Sequence, residues 1–96
     1  MSVVILGGNE CMERRYKELC QLYQCQAKVF TKPVGGLKSK LGKPDLLIFF
    51  TNTMSHKMVQ IALSEIKGQD TVIERCHTSS LSALRGILEK YAAQEA

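Results

Sequence analysis

The sequence predicts an α/β fold, specifically a small flavodoxin-like or Rossmann-like three-layer domain spanning residues 1–96. Continuous apolar runs such as "VVIL" and "LLIFF" are typical of strands buried on both faces of a parallel sheet. Between these runs, apolar residues recur every three or four positions, as they do in amphipathic helices. Because strands that alternate with helices form parallel sheets with right-handed crossovers, we expect four parallel strands in the order 2-1-3-4, with helices on both faces.

The individual elements follow from the same patterns. Strands are predicted at "SVVILGG", "QAKVF", "DLLIFF" and "TVIE". The first helix places Met12, Tyr16, Leu19 and Tyr23 on one face, and the second covers residues 55–67 and ends at Gly68. The last helix has an apolar face made of Leu81, Leu84, Ile87, Leu88 and Tyr91. Prolines and glycines in "TKPVGGLKSKLGKP" predict a loop, with one helical turn at residues 37–41.

Composition narrows the classes of function. The chain has 96 residues, 45% of them hydrophobic, and a formal charge of +4, which favours anionic partners. No dense run of Lys and Arg is present and aromatic residues make up only 6%, which argues against nucleic-acid binding. With no signal segment and no apolar run near the ~20 residues of a membrane span, we predict a cytoplasmic protein without membrane contact. Its four cysteines are then expected as thiols, and no CxxC pair suggests zinc.

The predicted fold indicates where a ligand-binding site would lie. Ligands of open parallel sheets bind at the carboxyl ends of the strands, near the point where strand order reverses. The segments leaving those ends are "GGNEC", "TKPVGG", "TNTMSHK" and "RCHTSS", and they are rich in glycine, hydroxyl, thiol and imidazole groups. Such groups suit a small anionic ligand, so we predict a ligand-binding or regulatory module. The predicted ligand-binding residues are Gly7, Gly8, Asn9, Gly36, Thr53, Ser55, His56, Cys76, Ser79 and Ser80.

The same residues also have structural interpretations. Gly7 and Gly8 suit a tight turn between strand and helix. Asn9 or Glu10 suits the N-cap of the first helix. Thr53 and Ser55 suit the cap of the second, and Ser79 or Ser80 that of the last. Because "GGN" is not GxGxxG, a dinucleotide site is not predicted.

Two alternative functions remain open. A haem or transition-metal protein would use Cys11, His56, Cys76 or His77, since thiolate and imidazole suit iron, zinc and copper. A cysteine-dependent phosphoryl-transfer enzyme would use Cys11 or Cys76 as nucleophile, and a thiol in the first helical turn is a reactive one. A phosphatase loop starting at Cys76 would need arginine at position 82, where this chain has serine. The segment "GGNEC" also lacks the serine- and threonine-rich turn expected around a phosphoryl-transfer cysteine after strand one, so the sequence favours a non-enzymatic function.

Self-association is also predicted. A four-stranded sheet exposes strand four as an edge, and closed twofold symmetry is the commonest way to cover one. We expect five apolar side chains near the cleft to add adaptable surface, namely Met12, Met54, Met58, Phe49 and Phe50. The sequence therefore predicts a homodimer.

Four short motifs occur in order along the chain: "ILGGNE", "VGG", "TNTMSHK" and "SSLSAL". In these motifs, and over essentially its whole length, the chain resembles the bacterial domain of unknown function 2325 family. The resemblance implies a compact α/β fold and no established activity. In many relatives histidine and aspartate precede the inner double glycine, where this chain has Lys32, Pro33 and Val34.

Overall fold

A parallel sheet organises the computed structural model, which describes residues 1–32 and 41–91. In the described residues the sheet has four strands: β1 (Ser2–Gly7), β2 (Gln26–Phe30), β3 (Leu46–Phe50) and β4 (Val72–Cys76). Their order is β2-β1-β3-β4 and each neighbouring pair is parallel, as the sequence predicts. Gly36 and most of the helical turn expected at residues 37–41 lie outside the described residues.

The burial of each strand explains its pattern of apolar residues. The inner strand β3 is fully buried along its length, because the sheet is covered on both faces. The edge strand β4 is only partly covered and shows no continuous apolar run. It extends to Cys76, beyond the predicted "TVIE", because it pairs with β3 residue by residue from Leu46–Val72 to Phe50–Cys76.

The described helices are α1 (Glu13–Leu22), α2 (His56–Glu65) and α3 (Leu81–Tyr91). A 3₁₀ turn at Glu10–Met12 precedes α1. The core on one face joins α1 and α3 to the sheet, and the core on the other face joins α2 to it. The predicted three-layer α/β architecture with helices on both faces is therefore confirmed.

The helix faces match the predicted periodicity. In α1, Tyr16 and Cys20 are fully buried, and Leu19 packs beside them together with the capping residues Met12 and Tyr23. In α3, Leu84 and Leu88 are fully buried, with Leu81, Ile87 and Tyr91 packed alongside. Spacings of three and four residues thus place the intended side chains against the sheet.

The prediction of an apolar surface near the cleft is wrong for three of its five residues. Phe49 and Phe50 have 0% exposure and Met58 has 7%, so none of them offers a surface to a partner. The reason is that β3 is an inner strand, with a helical layer on each side. Exposed large apolar side chains in the described residues lie elsewhere, at Leu22, Ile61, Val72 and Ile73.

Gly86→Ala is expected to stabilise the protein. Gly86 lies in the interior of α3, and a Cβ added there would meet nothing within 4 Å. Alanine lowers the conformational entropy of the unfolded chain and favours helix, so the free energy of unfolding should rise by about 0.5–1 kcal/mol. Urea denaturation followed by circular dichroism measures the change. A decrease in stability would contradict the placement of Gly86 on an open helix face.

Candidate functional site

The turn after β1 requires two glycines. Gly7 and Gly8 are both buried and both have a φ of +91°, in the region that favours glycine. A Cβ on Gly7 would lie 2.7 Å from Met54 Cγ, and one on Gly8 would lie 2.8 Å from Tyr16 Cε2. The faces of both glycines are therefore covered by the protein's own side chains, which supports the structural interpretation of this motif.

Thr53 joins the loop after β3 to this turn. Its Oγ1 accepts a hydrogen bond of 2.6 Å from the Gly8 N–H and donates one of 3.1 Å to the Phe50 carbonyl. Thr53 was one of two residues expected to cap the second helix, but its hydroxyl bonds to the β1 turn instead. The observed cap is Ser55, whose Oγ accepts from the Met58 N–H at 3.2 Å.

Tyr16 joins the β1 turn to the loop after β4. Its phenol is fully buried, and its hydroxyl donates a 2.6 Å hydrogen bond to the Ser79 carbonyl. The same oxygen accepts from the Asn9 N–H at 3.4 Å. Sequence reasoning placed Tyr16 only in the apolar core. The available signal was chemical, because a buried tyrosine hydroxyl nearly always needs a hydrogen-bond partner.

A third link connects β3 to β4. Thr51, which sequence reasoning also missed, donates from Oγ1 to the Cys76 carbonyl at 3.4 Å. Cys76 ends β4, is partly buried, and its thiol lies 3.1 Å from the Thr78 carbonyl. The ends of β1, β3 and β4 are thus tied together by the hydroxyls of Thr51, Thr53 and Tyr16, which we call the hydroxyl ties.

The cap predictions are largely confirmed. Asn9 Oδ1 accepts from the Cys11 N–H at 3.0 Å and caps the 3₁₀ turn before α1. Ser80 Oγ accepts from the Ala83 N–H at 3.2 Å, at the start of α3. Ser79 contributes its carbonyl to Tyr16. The 3₁₀ turn at Glu10–Met12, α2 and α3 therefore begin at the same edge of the sheet, each with a polar side chain over its first turn.

The histidines and the remaining cysteines are distributed around this edge and the core. His56 is the first residue of α2, His77 follows β4, and Cys11 lies in the 3₁₀ turn; all three are exposed. Within residues 1–32 and 41–91, no group of three or more His, Cys, Asp or Glu side chains could hold a metal ion.

Cys20 and Cys25 belong to the core below α1. Both side chains are buried, and burial raises the pKa of the Cys20 thiol to about 12, with the neighbouring Cys25 adding to the shift. At neutral pH the Cys20 thiol stays protonated, so it is unsuited to nucleophilic chemistry. Its role is packing in the core on the α1 face of the sheet.

Comparison with known proteins identifies the family. The model of a bacterial family described as "Uncharacterized protein conserved in bacteria (DUF2325)" matches residues 2–91. The chain belongs to this family. No curated protein and no solved structure gives a significant match to this DUF2325 chain.

Charged side chains surround the C-terminal edge of the DUF2325 chain. Lys32, after β2, forms a 3.0 Å ion pair with Glu10 of the 3₁₀ turn. Lys57 is exposed beside His56 at the start of α2.

In the part of the chain that the structure describes, no helix has the length and apolar character needed to cross a membrane.

Described residues also line two surface depressions. A groove of about 630 Å³ lies between α1 and α3, with Leu22, Leu81, Arg15 and Arg85 on its walls. A smaller depression of about 350 Å³ lies at the opposite edge of the sheet, around Pro44 and Gly68. Neither contains a predicted site residue, so the candidate site of the DUF2325 chain remains the edge above the hydroxyl ties.

Proposed function

We propose that this DUF2325 chain is a cytoplasmic binding or regulatory module for a small anionic ligand, held at the C-terminal edge of the sheet. The observation that carries the proposal is the set of hydroxyl ties. They join the ends of three strands into a hydrogen-bonded floor, through Gly8–Thr53, Tyr16–Ser79 and Thr51–Cys76. A floor of this kind pre-organises the side chains above it, which reduces the entropy lost on binding.

The side chains above the floor suit an anion. The Thr53 hydroxyl is already used within the floor, whereas Asn9, Ser55, His56 and Ser80 are exposed and offer amide, hydroxyl or imidazole donors. They lie at the start of the 3₁₀ turn, α2 and α3, where the helix dipole favours negative charge. Lys57 adds a cation beside His56, and the net charge of +4 acts in the same direction.

The capping serine hydroxyls and a bound ligand would compete for the same backbone N–H donors. Ser55 and Ser80 each accept one amide hydrogen bond at the start of α2 and α3. An anion that binds there would take over those amides and release the serine hydroxyls, which could then donate to it. The Gly8 amide is held more tightly, by the 2.6 Å bond to Thr53, and stays part of the floor.

His56→Ala tests the proposal. We expect inorganic phosphate, pyrophosphate or AMP to raise the melting temperature of the wild-type protein, since a ligand that binds only the folded state stabilises it. His56→Ala should weaken the affinity for the active compound about tenfold, the value of one charge-assisted hydrogen bond. Because His56 is exposed, the melting temperature without ligand should not change.

The control is Gln60→Ala, at an exposed position one turn further along α2. It should leave the affinity measured by calorimetry at the wild-type value. If none of the three compounds binds at millimolar concentration, the proposed class of ligand is wrong. An unchanged affinity in His56→Ala would remove His56 from the site.

The proposal extends to self-association as a homodimer. With Phe49, Phe50 and Met58 buried, its support is the outer edge of β4, where Val72 and Ile73 are each 39% exposed. Exposed apolar side chains on an edge strand are a common starting point for pairing with another chain.

A further inference from the structure

The outer edge of β4 combines backbone and apolar groups that could serve a partner. Among the described residues β4 pairs with β3 alone, so the backbone groups along its other side have no strand beside them. Val72 and Ile73 are each 39% exposed and point to opposite faces of the sheet. On the α2 side, Ile61 is also 40% exposed.

The charged residues of β4 restrict how a second copy could pair. In twofold antiparallel pairing, opposite residues share a face, so the twofold axis passes through one residue and its counterpart. An axis at Glu74 or Arg75 places like charges directly opposite each other, and an axis at Val72 places Glu74 opposite Asp70. Like charges directly opposite destabilise a strand pair.

An axis at Ile73 avoids these clashes. Ile73 then faces Ile73 of the second copy, Val72 faces Glu74, and Thr71 faces Arg75. The Glu74 carboxylate accepts hydrogen bonds from Tyr91 at 2.9 Å and from Lys90 at 3.2 Å within its own chain. The Tyr91 hydrogen bond, followed by Lys90, holds the pKa of Glu74 below its usual range. Glu74 is therefore charged at neutral pH, and a register centred on Glu74 would place two carboxylates opposite each other.

We infer that a second copy of this chain docks antiparallel along β4, with Ile73 on the twofold axis, and forms a continuous eight-stranded sheet. The inference rests on the proposed self-association and assigns it to one surface. Antiparallel docking places the two C-terminal edges at opposite ends of the extended sheet. Ligand binding at one edge is then independent of the dimer contact, and a monomeric variant should keep the ligand affinity of the wild type.

Ile73→Lys tests the surface. Sedimentation equilibrium should give a dimer mass for the wild type and a dissociation constant weakened roughly a hundredfold for Ile73→Lys, because two lysines would meet on the axis in place of two isoleucines. Leu22→Lys is the matched control: it makes the same change at an apolar side chain that is 79% exposed on α1. It should remain dimeric.

Cross-linking tests the register. Opposite residues of an antiparallel pair lie within about 5.5 Å, which permits a disulfide. Ile73→Cys treated with diamide should give a dimer on non-reducing gels that dithiothreitol reverses. Gln60→Cys on α2, and the wild type with its own four thiols, should give much less under the same conditions.

The outcomes of these experiments distinguish self-association itself from its assignment to β4 with Ile73 on the axis. A monomeric wild type would overturn self-association itself. A dimer that survives Ile73→Lys but dissociates in Leu22→Lys would keep self-association and move the contact to the groove between α1 and α3. A dimer that dissociates in Ile73→Lys but does not cross-link through Ile73→Cys would overturn the register.

Discussion

Gly7→Ala should be among the most destabilising single substitutions in this protein, lowering the free energy of unfolding by about 2–5 kcal/mol. Alanine at a φ of +91° costs about 1–2 kcal/mol of backbone strain. The new Cβ would also lie 2.8 Å from the Phe50 carbonyl oxygen and 2.9 Å from Thr53 Oγ1, and overpacking of this kind costs about 1–3 kcal/mol. Since small domains have only about 5–15 kcal/mol of stability, urea denaturation should show a much earlier transition.

Gly68→Ala provides the control for this experiment. Gly68 has a similar φ of +87°, but a Cβ there would meet nothing within 4 Å. Its cost should be the backbone strain alone, about 1–2 kcal/mol. If Gly7→Ala and Gly68→Ala destabilise equally, the close packing of the β1 turn against Thr53 and Met54 is wrong.

Tyr16→Phe should lower the free energy of unfolding by about 1–3 kcal/mol, although it removes a single oxygen atom. The hydroxyl donates to the Ser79 carbonyl and accepts from the Asn9 N–H, and both groups would lose their partner. The ring keeps its packing against Phe50, at a centroid separation of 5.4 Å. The loss therefore reports on the hydroxyl tie. Amide hydrogen exchange should also become faster at Asn9.

Tyr23→Phe is the matched control, at the C-cap of the same helix. The Tyr23 hydroxyl bonds to the exposed carboxylate of Glu89 at 3.1 Å, where water can replace it. Its removal should change stability by no more than about 0.5 kcal/mol. Equal effects of Tyr16→Phe and Tyr23→Phe would show that the Tyr16 hydroxyl does not join the β1 and β4 loops.

Part of the candidate site could be predicted because its hydrogen bonds are local. Asn9 bonds to the amide two residues ahead, and Ser55 and Ser80 bond to amides three residues ahead. Such capping contacts depend on short stretches of sequence beside a helical pattern. Sequence reasoning named Ser55 correctly but treated Thr53 as an equivalent candidate, because a hydroxyl near a helix start has the same local pattern in both cases.

The remaining contacts of the site depend on long-range packing. Thr53 meets Gly8 across 45 positions, and Tyr16 meets Ser79 across 63. Which hydroxyl reaches which backbone group depends on how α1 and the strand ends are oriented after the sheet has formed. Periodicity identified the buried face of α1 but could not show that its tyrosine hydroxyl would meet a carbonyl after β4.

The sequence by itself determined the strand order, the helix faces, the two candidate residues for each helix cap and the edge at which polar residues gather. These follow from apolar runs, periodicity and the right-handed rule for parallel crossovers, all of which act locally or through topology. Only the tertiary structure decided which apolar side chains remain available at the surface: Phe49, Phe50 and Met58 are buried, whereas Val72 and Ile73 are exposed. The physical reason is that exposure of an apolar side chain depends on its position in the sheet, since an inner strand is covered on both faces while an edge strand is not.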